Sequence, residues 1–107
     1  MNEVEKMYEN ANVEKYWNST PYGGVEEYYP PFTAEKQLNI IKWLLKSYDI
    51  GLSQLGGRID TSLDGVNCIS GLGSGDTFEE SLSQAINDLW QDLTGEERKQ
   101  IKEILSE

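Results

Sequence analysis

Apolar residues recur with a helical period between residues 76 and 93. Phe78, Leu82, Ala85, Ile86, Leu89, Trp90 and Leu93 fall on one side of a 3.6-residue turn, and Glu79, Glu80, Ser83, Gln84, Asn87, Asp88 and Gln91 on the other. Asp76 with Glu79, and Thr77 with Glu80, both have the spacing of a capping box, so the helix start is chemically marked, with Asp76 expected as the cap. An amphipathic helix of this kind needs a sheet or other helices to lie on, and the rest of the chain is read as supplying them.

A second helix is expected over Ala34–Ser47, capped by Thr33. Ala34, Leu38, Ile41, Leu44, Leu45 and Tyr48 form its expected core stripe. Ile40 and Trp43 lie off that stripe and imply a second apolar surface, covered either by the N-terminal segment or by a partner or second copy. Short alternating runs follow. Ile50 and Leu52, then Ile59, Thr61 and Leu63, alternate with polar residues around Gly56-Gly57, and Asp64-Gly65 leads to a possible third strand, Val66–Ser70. Ser70–Gly75 reads as a flexible connection. Thr94-Gly95-Glu96-Glu97 starts a last helix whose narrow edge, Ile101, Ile104 and Leu105, predicts shallow docking and a fraying end.

Residues 1–32 differ in character. They hold five of the six tyrosines and all three prolines, with a short helix expected over Glu3–Ala11 and turn chemistry from Asn18 to Gly24. The reading is α+β: a small antiparallel meander of two or three strands packed against helices, in the order α-α-β-β-(β)-α-α. Residues 1–32 form an aromatic, acidic segment, and residues 33–107 the compact domain.

Charge narrows the partners. Nineteen acids against nine bases give −10, which repels phosphate backbones and anionic membrane surfaces. The excess lies in residues 1–32, at −4, and 65–107, at −6, while residues 33–64 are neutral. Rows of carboxylates on helices can imitate a phosphate backbone, or can simply keep a protein soluble. The sequence contains no histidine, which removes the commonest general base and metal ligand, and Cys68 is the lone cysteine, read as a small buried hydrophobe in a reducing compartment. Gly71-Leu72-Gly73-Ser74-Gly75 precedes a helix start, but no lysine follows as in a phosphate-binding loop, and Asp76 stands where a phosphate would sit. No spacing selects a catalytic pair from Glu26, Glu27, Asp60 and Asp64. The expectation is a non-enzymatic, cytoplasmic protein with no cofactor and no metal.

Two stretches carry a family likeness: YPPFTAEKQL from Tyr29, continuing to Leu44, and FEESL from Phe78, continuing through LWQDLTGEER to Ile101. Together they resemble small accessory proteins encoded by phages and prophages of Gram-positive bacteria, over roughly residues 28–105. The resemblance implies a protein that binds and blocks a host protein, including CRISPR effectors and other defence enzymes, and it supplies no catalytic residues. The residues expected to meet the partner are the aromatic anchors Tyr16, Trp17, Tyr22, Tyr28 and Tyr29, the off-stripe pair Ile40 and Trp43, and the carboxylates Glu79, Glu80, Glu96 and Glu97. The partner expected is a basic, nucleic-acid-handling host protein, bound without direct contact to nucleic acid or membrane, with a homodimer possible through Ile40 and Trp43. The alternatives are a protein that sequesters a nucleotide-like ligand among the aromatics, reached past the glycine run, and a structural or assembly adaptor.

Overall fold

In the computed structural model, which describes residues 2–107, the chain runs α1 (Glu3–Asn10), β1 (Tyr16–Ser19), β2 (Val25–Tyr28), α2 (Ala34–Leu44), β3 (Asp49–Leu55), β4 (Arg58–Asp64), β5 (Ser70–Gly75), α3 (Phe78–Leu89) and α4 (Gly95–Leu105). A 3-10 turn, Trp90–Asp92, ends α3. The class is α+β. Its four helices accompany two antiparallel sheets, a β1-β2 pair and a triplet ordered β3-β4-β5. The expected order omitted the β1-β2 hairpin and began the last strand too early.

The strong amphipathic stretch forms α3, and Leu82, Ala85, Ile86, Leu89, Trp90 and Leu93 are buried as their spacing requires. Thr77 rather than Asp76 caps it, accepting from the Glu80 N–H at 3.2 Å. Ser81 and Ser83 are buried too, although Ser83 belongs to the polar side of the pattern. The reason is that α3 is covered twice, by β5 and β4 and also by α1. Thr61 and Ser81 share a buried hydrogen bond of 2.7 Å, which satisfies two hydroxyls in that layer.

Ser70–Gly75 is a strand, not a flexible connection. Gly71, Gly73 and Gly75 are buried against α3, and a Cβ at Gly71 would lie 2.9 Å from Leu89 Cδ2 and 3.1 Å from Leu89 Cβ. Glycine at every second position is what lets a helix backbone approach a strand this closely. Val66–Ser70, expected as the third strand, is mostly the turn before it. Asn67 and Cys68 take left-handed backbone angles there, φ 59° and 63°, and Cys68 is exposed, contrary to its expected burial.

The core face of α2 is also displaced from the expected stripe. Lys36, Ile40 and Leu44 are buried, while Ala34, Leu38 and Leu45 face solvent. Lys36 occupies its core position by donating from Nζ to the Leu105 carbonyl at 2.9 Å. Burial pulls the Lys36 ammonium below its usual range, against an opposing pull from Glu107.

This placement seats α2 on α4, whose Ile101 and Leu105 are fully buried, so α4 docks more deeply than its narrow edge predicts. Thr94 and Glu97 complete the expected capping box, each accepting from the other's backbone N–H at 3.1 Å. Thr94→Ala is therefore expected to cost about 1 kcal/mol in urea denaturation.

Candidate protein-interaction surface

Between α1 and α2 the chain forms a hairpin that packs chiefly on itself. It reverses over Thr20–Gly24, where the Thr20 N–H donates to the Gly24 carbonyl at 2.8 Å and Thr20 Oγ1 accepts from the Gly24 N–H at 2.9 Å. Gly23 supplies the positive φ of 80° that the turn needs. Antiparallel pairing sets Tyr16 opposite Tyr28, Trp17 opposite Glu27, Asn18 opposite Glu26 and Ser19 opposite Val25. Tyr16 and Tyr28 are in tilted contact at 5.9 Å, and Asn18 donates to the Tyr28 hydroxyl at 2.9 Å.

All eight strand residues of this arm are exposed. Tyr16 is 51% exposed, Trp17 66%, Val25 63% and the turn residue Tyr22 97%. An isolated two-stranded ribbon is marginal in water, so what fixes the arm is its base. Tyr29 stacks on buried Tyr8 at 5.3 Å, Phe32 meets Tyr8 edge-on at 6.3 Å, and the Lys15 ammonium lies 4.9 Å over Tyr29. Tyr16 lines a groove with Val13, Pro30, Lys102 and Ser106. The radius of gyration, 14.8 Å, exceeds the about 13 Å typical of a compact domain of this length.

The structure thus gathers Tyr16, Trp17, Tyr22 and Tyr28 on one arm and puts Tyr29 at its root. It does not gather the other candidates with them. Ile40 is wholly buried in the core, which corrects its assignment to a partner or dimer face. Trp43 is half-buried, and its Nε1–H donates to Gln100 at 2.6 Å, tying α2 to α4.

Glu79 and Glu80 open α3, whereas Glu96 and Glu97 open α4 beyond the other end of α3. Twelve helical residues span about 18 Å, so the four acids form two separate pairs and not one row. Glu97 is further engaged, since it caps α4 and accepts from the Tyr48 hydroxyl at 3.3 Å. That carboxylate and burial, burial first, raise the Tyr48 hydroxyl above its ordinary range.

Sequence reasoning missed Val25 and the hairpin that carries it. The available signal was the β-prone pair Tyr16-Trp17 and the run Val25–Tyr28 on either side of Gly23-Gly24. At the arm's root, Tyr8, Tyr28, Tyr29, Pro30 and Phe32 line an open hollow of about 350 Å³ shared with Lys15, Glu5 and Glu27. The glycine run does not lead to this hollow, because it is packed as β5. No helix among the described residues is long and apolar enough to cross a membrane.

Comparison with protein-family models, with curated proteins and with solved structures finds no match for this chain.

Proposed function

We propose that this chain acts without catalysis, by binding a protein partner through the β1-β2 arm, and that its charge selects a basic, nucleic-acid-handling partner. The observation that carries the reading is the arm. Trp17, Tyr16, Tyr22, Val25 and Tyr28 stay in water on a ribbon that adds little to the core. Aromatic side chains held on a paired backbone lose little entropy on binding, and such residues dominate the energetics of interfaces.

The resemblance of residues 28–105 to phage and prophage accessory proteins favours a host protein as the partner, met in the host cytoplasm, with inhibition as the outcome. The separation of the two carboxylate pairs supports long-range steering of a basic partner over imitation of a continuous phosphate backbone. The hollow at the arm's root does not favour nucleotide sequestration, because Lys15 shares it with the carboxylates of Glu5 and Glu27.

The test is capture of a partner from a Gram-positive host lysate on the full chain, with elution by salt, followed by kinetics on that partner. Trp17→Ala and Tyr22→Ala are each expected to weaken Kd about tenfold, mainly through faster dissociation. Glu79→Lys with Glu96→Lys is expected to slow association at low salt and leave dissociation nearly unchanged. Arm variants that keep the parent's dissociation rate would overturn the reading.

A further inference from the structure

The hollow at the root of the arm continues the Trp17 face of the ribbon. Lys15 precedes β1 by one residue and Tyr29 follows β2 by one. Side chains alternate along a strand, so this face runs from Ser19 and Val25 through Trp17 and Glu27 to Lys15 and Tyr29. The side chains agree, because the Lys15 ammonium lies 4.9 Å from the centroid of the Tyr29 ring. A partner seated on Trp17 and Val25 meets the hollow as the next part of the same surface.

The lining suits a cation. Rings of Tyr8, Tyr29, Phe32 and Pro30 wall a space of about 350 Å³, and the charged side chains around them are two carboxylates, Glu5 and Glu27, against the one ammonium of Lys15. The faces of aromatic rings attract cations, and the surplus carboxylate adds to that preference while repelling anions. Lys15 makes the preference visible, since the hollow already holds an ammonium against a ring. Tyr8 stacks on Tyr29 at 5.3 Å and takes one face of that ring, so the face under Lys15 is the one left to a ligand.

We infer that the hollow is a socket for an arginine side chain of the partner, which takes the place of the Lys15 ammonium on Tyr29. The inference rests on the reading of a basic protein partner for the source of that arginine, and the socket itself is testable on the free chain. Arginine fits better than lysine because its guanidinium is planar and weakly hydrated. It lies flat on a ring while its N–H fork donates in the plane to a carboxylate, here Glu5 or Glu27. Lys15 is exposed and sits on a flexible four-carbon stem, so it can swing out into water when the arginine enters.

NMR titration of the isotopically labelled full chain with N-acetyl-arginine amide, at low salt, tests the inference. Saturable shifts confined to the hollow's lining are expected, with a Kd of about 1 mM for so small a probe. The neutral citrulline counterpart is expected to produce no saturable shifts, and the lysine counterpart to bind at least about threefold more weakly.

Lys15→Ala frees the ring face and removes a like charge, so it is expected to tighten the arginine amide about three- to fivefold. Glu5→Gln with Glu27→Gln is expected to weaken it about fivefold. All three positions are exposed, and the amide spectrum of each variant reports its fold. If the double variant changes the spectrum beyond the hollow, Lys15→Ala decides alone.

Trp17 does not line the hollow, and Trp17→Ala is expected to leave the arginine titration unchanged. Failure of the socket is thereby told apart from failure of the arm. Citrulline amide binding as tightly as arginine amide would overturn the inference. So would a Lys15→Ala affinity no better than the parent's, or no saturation in either chain up to about 20 mM.

Discussion

Gly73→Ala is expected to remove a large share of the protein's stability, although adding one methyl to a strand glycine normally helps. A Cβ at Gly73 would collide with the Ser81 carbonyl oxygen and would lie 2.5 Å from the Ala85 nitrogen. These are backbone atoms of α3, so no rotamer change can make room. The helix must lift from β5, which breaks the Thr61–Ser81 hydrogen bond and the capping of Leu72 and Ser74 by Asp88 and Gln84. It also loosens Leu82, Ala85, Ile86 and Leu89 from the core.

Overpacking against a rigid neighbour costs about 3 kcal/mol or more, which exceeds the 0.5–1 kcal/mol or so that alanine gains over glycine in chain entropy. Against a total of about 5–15 kcal/mol for a domain of this size, the loss is severe. Gly95→Ala provides the contrast, since nothing lies within 4 Å of its added Cβ at the first residue of α4. That change is expected to stabilise by about 0.4–1 kcal/mol. Urea midpoints of the two variants decide the matter. A Gly73→Ala midpoint equal to the parent's would mean that α3 does not rest on β5.

The same contact explains which parts of the fold were legible in the sequence. The α3 and α4 helices were, because their apolar spacing and the caps at Thr77 and Thr94 are local signals. The β5 strand was not, since SGLGSG has almost no strand propensity. Its signal was glycine with a period of two, which marks a strand pressed against a helix and reads locally as a flexible loop.

The misassigned face of α2 has a related cause. Lys36 starts the buried row that continues through Ile40 and Leu44, and a lysine does not suggest a core position until the Leu105 carbonyl is seen to receive its ammonium. Moving the row by one face turned Ile40 from a surface residue into a core residue. Cys68 went the opposite way, because its composition-based burial yields to a left-handed turn at the surface.

The candidate site was legible in composition and illegible in geometry. Tyrosines and Trp17 crowd residues 1–32, but the turn residues around Gly23-Gly24 concealed two strands of four residues each. Only the pairing shows that Trp17 and Val25 share one face of the arm while Tyr16 and Tyr28 share the other. Likewise, the two acidic pairs are both visible in the sequence, and it is the length of α3 that separates them.

Stability is expected to fall between pH 10 and 12 by an amount traceable to Tyr8, at the root of the arm. Its hydroxyl is buried with no hydrogen-bond partner among the described residues, and burial pushes it up from 10.0 to about 12. An acid whose pKa is raised in the folded state holds its proton there after the unfolded chain has released it. The unfolded state is then favoured above pH 10, and the loss is complete above about pH 12.

Two pH units correspond to about 2.7 kcal/mol, of which about 1.4 kcal/mol is lost by pH 11. Tyr8→Phe keeps the stack on Tyr29 and the edge contact with Phe32 but removes the titrating group. It is expected to match or exceed the parent at pH 8, because an unsatisfied buried hydroxyl is relieved, and to lose less from pH 10 upward. Taking the difference between the two proteins cancels the opposing contributions of Lys36 and Tyr48, which are the same in both.

Urea denaturation at stepped pH measures that difference, and parallel curves for parent and variant would show that Tyr8 ionises as freely in the folded chain as in the unfolded one. The arm gives an independent readout, because a phenolate at Tyr8 would disrupt the stack that seats Tyr29 one residue beyond β2. Trp17 fluorescence, followed in a chain with Trp43 and Trp90 replaced by Phe, is expected to show a transition in the parent with the same midpoint, which Tyr8→Phe lacks once the alkaline quenching common to both chains is subtracted.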